Sequence, residues 1–320
     1  MVNGYIHRRL LKARANRTTS TYRSAARSYE LVCRRLGMAA WPATESKLIT
    51  YCAYAHESIG LRPKTIGTYV AGLCFEHKIR GWEDPRGEGG LLGLVLDGCH
   101  RIDKENGVED RLRLGIDARL LDKLIRSLDL SKFREARFAA FATLAYFGAF
   151  RPSELVMSES GSRLHWADYR VVDHESGVRY LEIRQYVSKT RQFGPSITIA
   201  VGATDGPTCP KALMDRYASH LRGRLGTSPV FAQEDGVSPY TYTQALVDVR
   251  FFLRRAGVKD VSSYSLHSFR IGMASEAGRR NLPDHLIKML GRWNSDCFLR
   301  YIRADPVHLA ATTRALALNT

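Results

Sequence analysis

Hydrophobic periodicity changes only briefly along this chain, and that change limits the folds open to it. From Thr18 to Phe150 the apolar residues recur at helical spacing, interrupted by turn signals. Thr18 or Ser20 can cap a first helix through Tyr22, Ala26, Tyr29, Val32 and Cys33, stopped near Gly37. After Trp41-Pro42, Thr44 opens a second with Leu48, Tyr51, Cys52 and Ala55 on one side. Arg62-Pro63-Lys64-Thr65 starts a third, with Ile66, Tyr69, Val70 and Leu73 in phase. A glycine-rich break at 87–90 precedes a fourth over Leu91–Ile102. Four short helices suit a small bundle, and the polar stretch Lys104–Gly107 reads as a linker. Beyond it the spacing predicts helices near Asp117–Leu128 and, strongly apolar, Arg134–Phe150. Alternation then appears in Tyr180–Val187 and Ser196–Val201, with Val171-Val172 in an earlier strand. Residues 188–195 form a polar hairpin connection between the two. From Pro210 the helical period returns. The expected chain is mainly α with a small antiparallel β-sheet, in two domains: a helical bundle over 1–105 and a mixed α+β domain over 106–320.

Charge narrows the partner. The formal net charge is +16. Residues 1–37 carry Arg8, Arg9, Lys12, Arg14, Arg17, Arg23, Arg27, Arg34 and Arg35 against a single acid, Glu30. Such an imbalance favours a polyanion, because each neutralised phosphate releases condensed counterions. A membrane surface or ribosomal RNA would satisfy the same charge, so "anionic" is as far as it goes. The six cysteines are scattered with no Cys-x-x-Cys pair, which argues against a zinc site or disulfide framework and for a reducing compartment. No stretch of about 18 apolar residues occurs, so an intracellular protein without a membrane is expected. In a eukaryotic host the location would be the nucleus, with Arg8-Arg9-Leu10-Leu11-Lys12 either aiding entry or forming a solvated helix face; otherwise it would be the cytoplasm.

The chemistry is concentrated near the C-terminus. In Ser265-Leu266-His267-Ser268-Phe269-Arg270-Ile271-Gly272, a His and an Arg three residues apart share one helix face and can reach one ligand atom. Leu290-Gly291-Arg292-Trp293 follows with an indole donor. Eight residues after Trp293 comes Tyr301, flanked by Arg300 and Arg303. Arginine, histidine and indole donors around one tyrosine suit a phosphate under attack by a phenol oxygen. Phosphodiester transesterification needs charge stabilisation by metal ions or by fixed cations. The sequence has no clustered Asp/Glu set for magnesium and no Gly-x-x-x-x-Gly-Lys, so no cofactor is expected. It does have Phe150-Arg151-Pro152-Ser153-Glu154-Leu155, where a forked guanidinium can bind two phosphate oxygens. Alone, that stretch also fits a helix C-terminus closed by a dipole-stabilising Arg and a Pro break.

In order and spacing these pieces resemble the tyrosine recombinase (phage-integrase) family. The resemblance is sharp over about residues 140–305 and general over 1–105. It implies an N-terminal core-binding bundle, a tyrosine recombinase catalytic domain, and strand transfer through a covalent 3′-phosphotyrosyl link. Gly148 to Leu155 matches Gly-x-x-Arg-x-x-Glu-Leu, making Arg151 the first phosphate clamp and Glu154 an orienting acid. His267 and Arg270 match His-x-x-Arg, with Arg270 the second clamp and His267 a hydrogen-bond donor or proton-transfer group. Trp293 stands where the family has His or Trp, and Tyr301 is the nucleophile. A free phenol has a pKa near ~10, so attack at neutral pH requires the field of Arg151, Arg270 and His267. Lys189, in the hairpin, matches the family's leaving-group acid, although Arg191 or neither could act there. The step from Trp293 to Tyr301 is eight residues, where bacterial and phage members usually have nine; the shorter step resembles DIRS-like and crypton-like members from eukaryotic mobile elements.

Double-stranded DNA is the implied partner. Arg62, Lys64, Thr65 and Thr68 give the third helix a basic, hydroxyl-bearing start suited to phosphate, or else cap an ordinary core helix. Arg250, Arg254 and Arg255 offer contacts from the catalytic side, or are merely solvated. The tail from Val307 to Leu318 could pack on a neighbouring subunit of a DNA-bound tetramer or on its own domain. The expected function is a site-specific recombinase or integrase needing neither metal nor ATP. The alternatives are a type IB topoisomerase-like relaxase, which uses the same chemistry, and a domesticated, non-cutting DNA-binding protein.

Overall fold

The computed structural model describes residues 16–108, 112–157, 164–185, 196–302, 310 and 313–314. The chain divides into two compact units, Met1–Asp110 and Arg111–Thr320.

Among its described residues the first unit holds four helices: α1 (Asn16–Arg35), α2 (Glu45–Glu57), α3 (Pro63–Arg80) and α4 (Leu91–Glu105). Helix α1 packs on α3 and α2 on α4. Tyr29, Val32, Leu48, Tyr51, Ile66 and Leu73 are fully buried between them. These are the residues that the apolar period brings to one side of each helix. Thr44 caps α2 by accepting the N–H of Lys47 at 3.4 Å. Thr18 and Ser20, by contrast, lie inside α1 rather than capping it, because Asn16–Thr21 contains no glycine or proline to halt the helix. The charged Lys104 and Glu105 belong to the last turn of α4 and not to a connecting segment.

The second unit is built around α6 (Phe133–Phe147), in which every residue from Glu135 to Tyr146 is buried. It is preceded by α5 (Ala118–Arg126), capped by Asp117, and followed by the single-turn α7 (Pro152–Leu155). A helix apolar on all sides must be enclosed by other elements. Here these are α5, α7, strand β3 (Ile197–Gly202), α8 (Pro210–Ala218), α9 (Tyr242–Arg255) and α10 (Ser268–Arg279). The charges that α6 does bury are paired: Arg137 with Asp248 at 3.4 Å, and Glu135 with Arg255. Strands β1 (Tyr169–Asp173), β2 (Arg179–Gln185) and β3 make an antiparallel sheet in that order. Tyr169 opposes Ile183, and Ile183 opposes Ile199. Leu181, Ile183, Ile199 and Val201 point inward, as the alternation requires. Helix α11 (Asp284–Gly291) and a 3₁₀ turn over Asp296–Arg300 follow. Helix α6 ends at Phe147, three residues before the apolar run does, because the chain turns at Gly148.

Helix α10 sits backbone to backbone on the segment before α5. The N–H of Ile116 donates to the carbonyl of Ser268 at 2.9 Å. A Cβ at Gly272 would fall 1.7 Å from the carbonyl oxygen of Ile116, which is main chain and cannot rotate away. Gly272→Ala is therefore expected to lower the unfolding free energy by about 1–3 kcal/mol or more, read as a drop in the urea midpoint. An unchanged midpoint would mean that α10 does not approach this closely.

Candidate active site

Four segments converge on one site. The first is the turn after α6. Gly148 closes that helix, Ala149 takes a positive φ of 45° and Phe150 is buried. Arg151 is then the residue before α7, with Pro152 at the first helical position, where its fixed φ suits a helix start. Glu154, at the third position, reaches back. Its Oε2 accepts the main-chain N–H of Arg151 at 2.8 Å, and its Oε1 accepts Nη1 of Arg151 at 2.9 Å.

The second segment is the start of α10. The Ser268 hydroxyl accepts the N–H of Ser265 at 2.9 Å, and the Ser265 hydroxyl accepts that of His267 at 3.3 Å. These bonds set His267 just ahead of the helix and send Arg270 into the interior, only 1% exposed. The terminal nitrogens of Arg270 donate to the carbonyls of Ala149 and Gly291. Its guanidinium carbon lies 4.3 Å above the ring of Trp293. Burial, with Arg151 and Arg292 beside it, pushes this guanidinium down to about 9, above neutrality, so it remains a cation.

The third segment is the end of α11. Arg292 adopts a left-handed conformation, φ 55°. The bend folds Trp293 back onto Gly291, where a Cβ would lie 1.7 Å from Cζ3 of the indole. Trp293 is 8% exposed and packs with its ring tilted, centroids 5.9 Å apart, against both Phe298 and Tyr301. It serves as a platform beneath Arg270.

The fourth is the turn that ends at Tyr301. Ser275 donates its hydroxyl to the main-chain carbonyl of Tyr301 and ties this turn to α10. The phenol oxygen lies 3.2 Å from Nε2 of His267, with the rings edge to face at 5.3 Å.

The structure thus brings together Arg151, Glu154, His267, Arg270, Trp293 and Tyr301, which the sequence had placed in one site. Lys189 lies outside the described residues. Arg62, Lys64, Thr65 and Thr68 lie on or just before α3 in the first unit; Lys64 and Thr68 are exposed, while Arg62 pairs with Asp103 at 3.3 Å and donates to the Val108 carbonyl. On α9, Arg250 and Arg254 are exposed. Arg255 holds Glu135 and the Ser127 carbonyl, a partnership across 120 residues that local spacing cannot reveal.

Sequence reasoning passed over Arg292. Its Nη1 donates to the carbonyl of Gly148 at 2.9 Å, and its Nη2 to that of Ala149 at 3.2 Å and to Oε2 of Glu154 at 3.0 Å. A signal was present: Arg292 directly follows Leu290-Gly291 and stands nine residues before Tyr301. The site contains three guanidinium groups and one buried carboxylate. An excess of fixed positive charge around a histidine-bonded phenol can hold an anion and move a proton from the phenol.

No family model matches the chain, and no curated protein matches it. Solved structures do. The chain is similar to the Tn1549 transposon integrase in complex with transposon right end DNA, at TM-score 0.61 and 14% identity, over 98% of this chain and 99% of that one. It is similar to XerH site-specific recombinase bound to a palindromic difH substrate, at 0.58 and 15%, over 92% and 77%. It is also similar to a lambda integrase dimer bound to a COC′ core site, at 0.50 and 16%, over 94% of each chain. At these identities the likeness establishes the fold alone, one shared with these integrases and this site-specific recombinase. Among the described residues, no helix is long and apolar enough to cross a membrane.

Glu154 gives the site a pH signature. Burial raises its carboxyl, but Arg292 and Arg151 overcome that, and the net shift is below its ordinary 4.5. A carboxyl whose folded-state pKa is depressed adds stability that is present above its unfolded value and lost as pH falls through the folded one. Glu154→Gln should therefore be less stable than wild type by about 3 kcal/mol at neutral pH. Urea unfolding should show that difference shrinking as pH falls below 4.5. A difference that persists undiminished into acid would mean the carboxylate charge is not what holds the turn.

Proposed function

We propose that this chain is a site-specific DNA strand transferase, a recombinase or integrase that cuts and reseals DNA through a phosphotyrosyl link. The observation that carries the reading is the hydrogen-bonded contact between His267 and the Tyr301 phenol beside the buried Arg270. The fold shared with DNA-bound recombinases and integrases supports it.

In this reading Tyr301 Oη attacks the scissile phosphorus and passes its proton to His267. The P–O bond to the 5′ oxygen breaks, leaving a 3′-phosphotyrosyl link and a free 5′ hydroxyl, with Lys189 protonating the leaving oxygen. A 5′ hydroxyl from a partner strand reverses the step. Bond energy is conserved, so neither ATP nor a metal is required. Arg151 and Arg270 stabilise the non-bridging oxygens. For Arg270 this requires exchanging a carbonyl partner, Ala149 or Gly291, for phosphate. Trp293 backs that exchange as the surface against which the guanidinium stays stacked.

Lys64, Thr65 and Thr68 on α3, with Arg62 at its start, and Arg250 and Arg254 on α9 supply phosphate contacts on duplex DNA. Exchange between two duplexes needs four cleavages and so four copies of Tyr301, hence a tetramer on DNA. The eight-residue step to Tyr301 and the likeness to a transposon integrase support a role in a mobile element, with the step resembling DIRS-like and crypton-like members.

Tyr301→Phe should bind DNA normally and form no covalent adduct. The test is to express wild type and variant beside host genomic DNA, purify both under denaturing conditions and sequence what remains attached. DNA held by wild type alone, sharing a sequence, is the expected result. Adducts on unrelated sequences would point to a relaxase, and none at all to a non-cutting binder. Arg151→Lys and Arg270→Lys should each slow adduct formation by about 10²-fold or more, since a point charge replaces a fork.

A further inference from the structure

Arg292 takes no part in the reaction as described, yet its side chain is only 13% exposed and its nitrogens are turned toward the protein. Nη1 donates to the carbonyls of Gly148 and Leu290, and Nη2 to the carbonyl of Ala149 and to Glu154. The Nε–H is buried without a partner. Arg270 is held only by carbonyls, but Nη2 of Arg292 is already held by the Glu154 carboxylate, a charged acceptor that a phosphate oxygen would not improve upon, so Arg292 is committed to the protein. Its backbone is also costly. A left-handed conformation is strained in a non-glycine residue and persists where the surroundings enforce it. Ala149, whose carbonyl Arg292 binds, is the other strained residue of this site, with φ 45°. Two strained turns that follow different helices are thus joined by one guanidinium.

We propose that Arg292 is a positioning residue for strand cleavage, acting through Glu154 and the Ala149 carbonyl to aim the guanidinium of Arg151. The role rests on the recombinase reading above. Glu154 is shared. Oε1 takes Nη1 of Arg151, while Oε2 takes the Arg151 N–H and Nη2 of Arg292. Removing Arg292 leaves a fully buried carboxylate with a single cation, and the vacant lone pair on Oε2 draws further nitrogens of Arg151 inward, away from a phosphate. At the same time the Ala149 carbonyl loses one of its two arginine donors and binds Arg270 alone. A lysine cannot substitute, because its donors radiate from one atom and cannot span Gly148, Ala149 and Glu154 together.

The test uses the full chain and the duplex recovered from the adduct experiment. Single-turnover cleavage and duplex affinity are measured for wild type, Arg292→Lys, Arg292→Gln, Glu154→Gln and the Arg292→Gln/Glu154→Gln double variant. The expected result is an affinity within about twofold of wild type and cleavage slowed by about 10²-fold in both Arg292 variants. The double variant should be no slower than the slower single one, as for two residues acting as a unit. Full activity of Arg292→Lys, fully additive losses in the double variant, or a loss of affinity equal to the loss of rate would each overturn the positioning role. If Arg292→Gln does not fold, Arg292→Lys decides alone, because a wild-type rate in it contradicts the need for a fork. Absence of adduct from wild type overturns the recombinase reading and this role with it, whereas adduct from wild type with unchanged rates in the variants overturns this role only.

Discussion

A single buried carboxylate holds the candidate site together. The Glu154 side chain is 1% exposed and lies between the guanidinium groups of Arg151 and Arg292. A carboxylate so far from water is tolerable only when paired and hydrogen-bonded, and leaving it with no partner typically costs about 3–5 kcal/mol. Here it accepts two hydrogen bonds from Arg151 and one from Arg292. Arg151 follows α6 and Arg292 closes α11, so this one group ties together two turns that are 138 residues apart in sequence. The pairing is directional. Each nitrogen that meets Glu154 fixes where the remaining nitrogens of the same planar fork can point.

The main chain reinforces what the carboxylate begins. Ala149 and Arg292 both hold positive φ, and among the described residues the only other non-glycine residue to do so is Asn281. In each case the strained turn exposes carbonyls: Gly148 and Ala149 at one, Leu290 and Gly291 at the other. Arg270 and Arg292 bind across both sets. The cations that make the site attractive to a phosphate are thus the same groups that satisfy its irregular backbone. A carbonyl acceptor at such a buried site can be exchanged for a phosphate oxygen at modest cost, because a charged oxygen is the better acceptor of the two.

Much of this was legible in the sequence, and what was missed shares one cause. The helices and sheet followed from apolar spacing, since burial of one face is a local pattern. Helix ends followed less well. Thr18 and Ser20 have the chemistry of caps, but only a chain that leaves the helix makes them so. His267, Arg270, Trp293 and Tyr301 could be grouped because they are close in sequence, and Arg151 because its neighbours Gly148 and Glu154 form a recognisable set. What spacing could not convey was environment. Arg270 and His267, three residues apart, were expected to reach one ligand together. In the fold His267 meets Tyr301 at the start of α10, while Arg270 is buried on the face of Trp293 and holds two carbonyls. Arg255 pairs with Glu135 and Arg292 with Glu154, in each case across more than a hundred residues, and no local rule anticipates either.

The balance of charge then limits what the site can hold. Three guanidinium groups surround one carboxylate, and the carboxylate is already neutralised by its own neighbours. Burial lowers both Arg270 and Arg292, and the guanidinium of Arg151 beside them adds a smaller lowering by repulsion. Three cations against one carboxylate leave an excess of positive charge, which a neutral ligand would leave uncompensated. A phosphodiester brings one negative charge spread over two oxygens, and during attack by a phenol that charge grows. The repulsion among these guanidinium groups would be relieved most when the charge on phosphorus-bound oxygen is greatest. This is the condition under which binding energy appears in the transition state and not in the ground state.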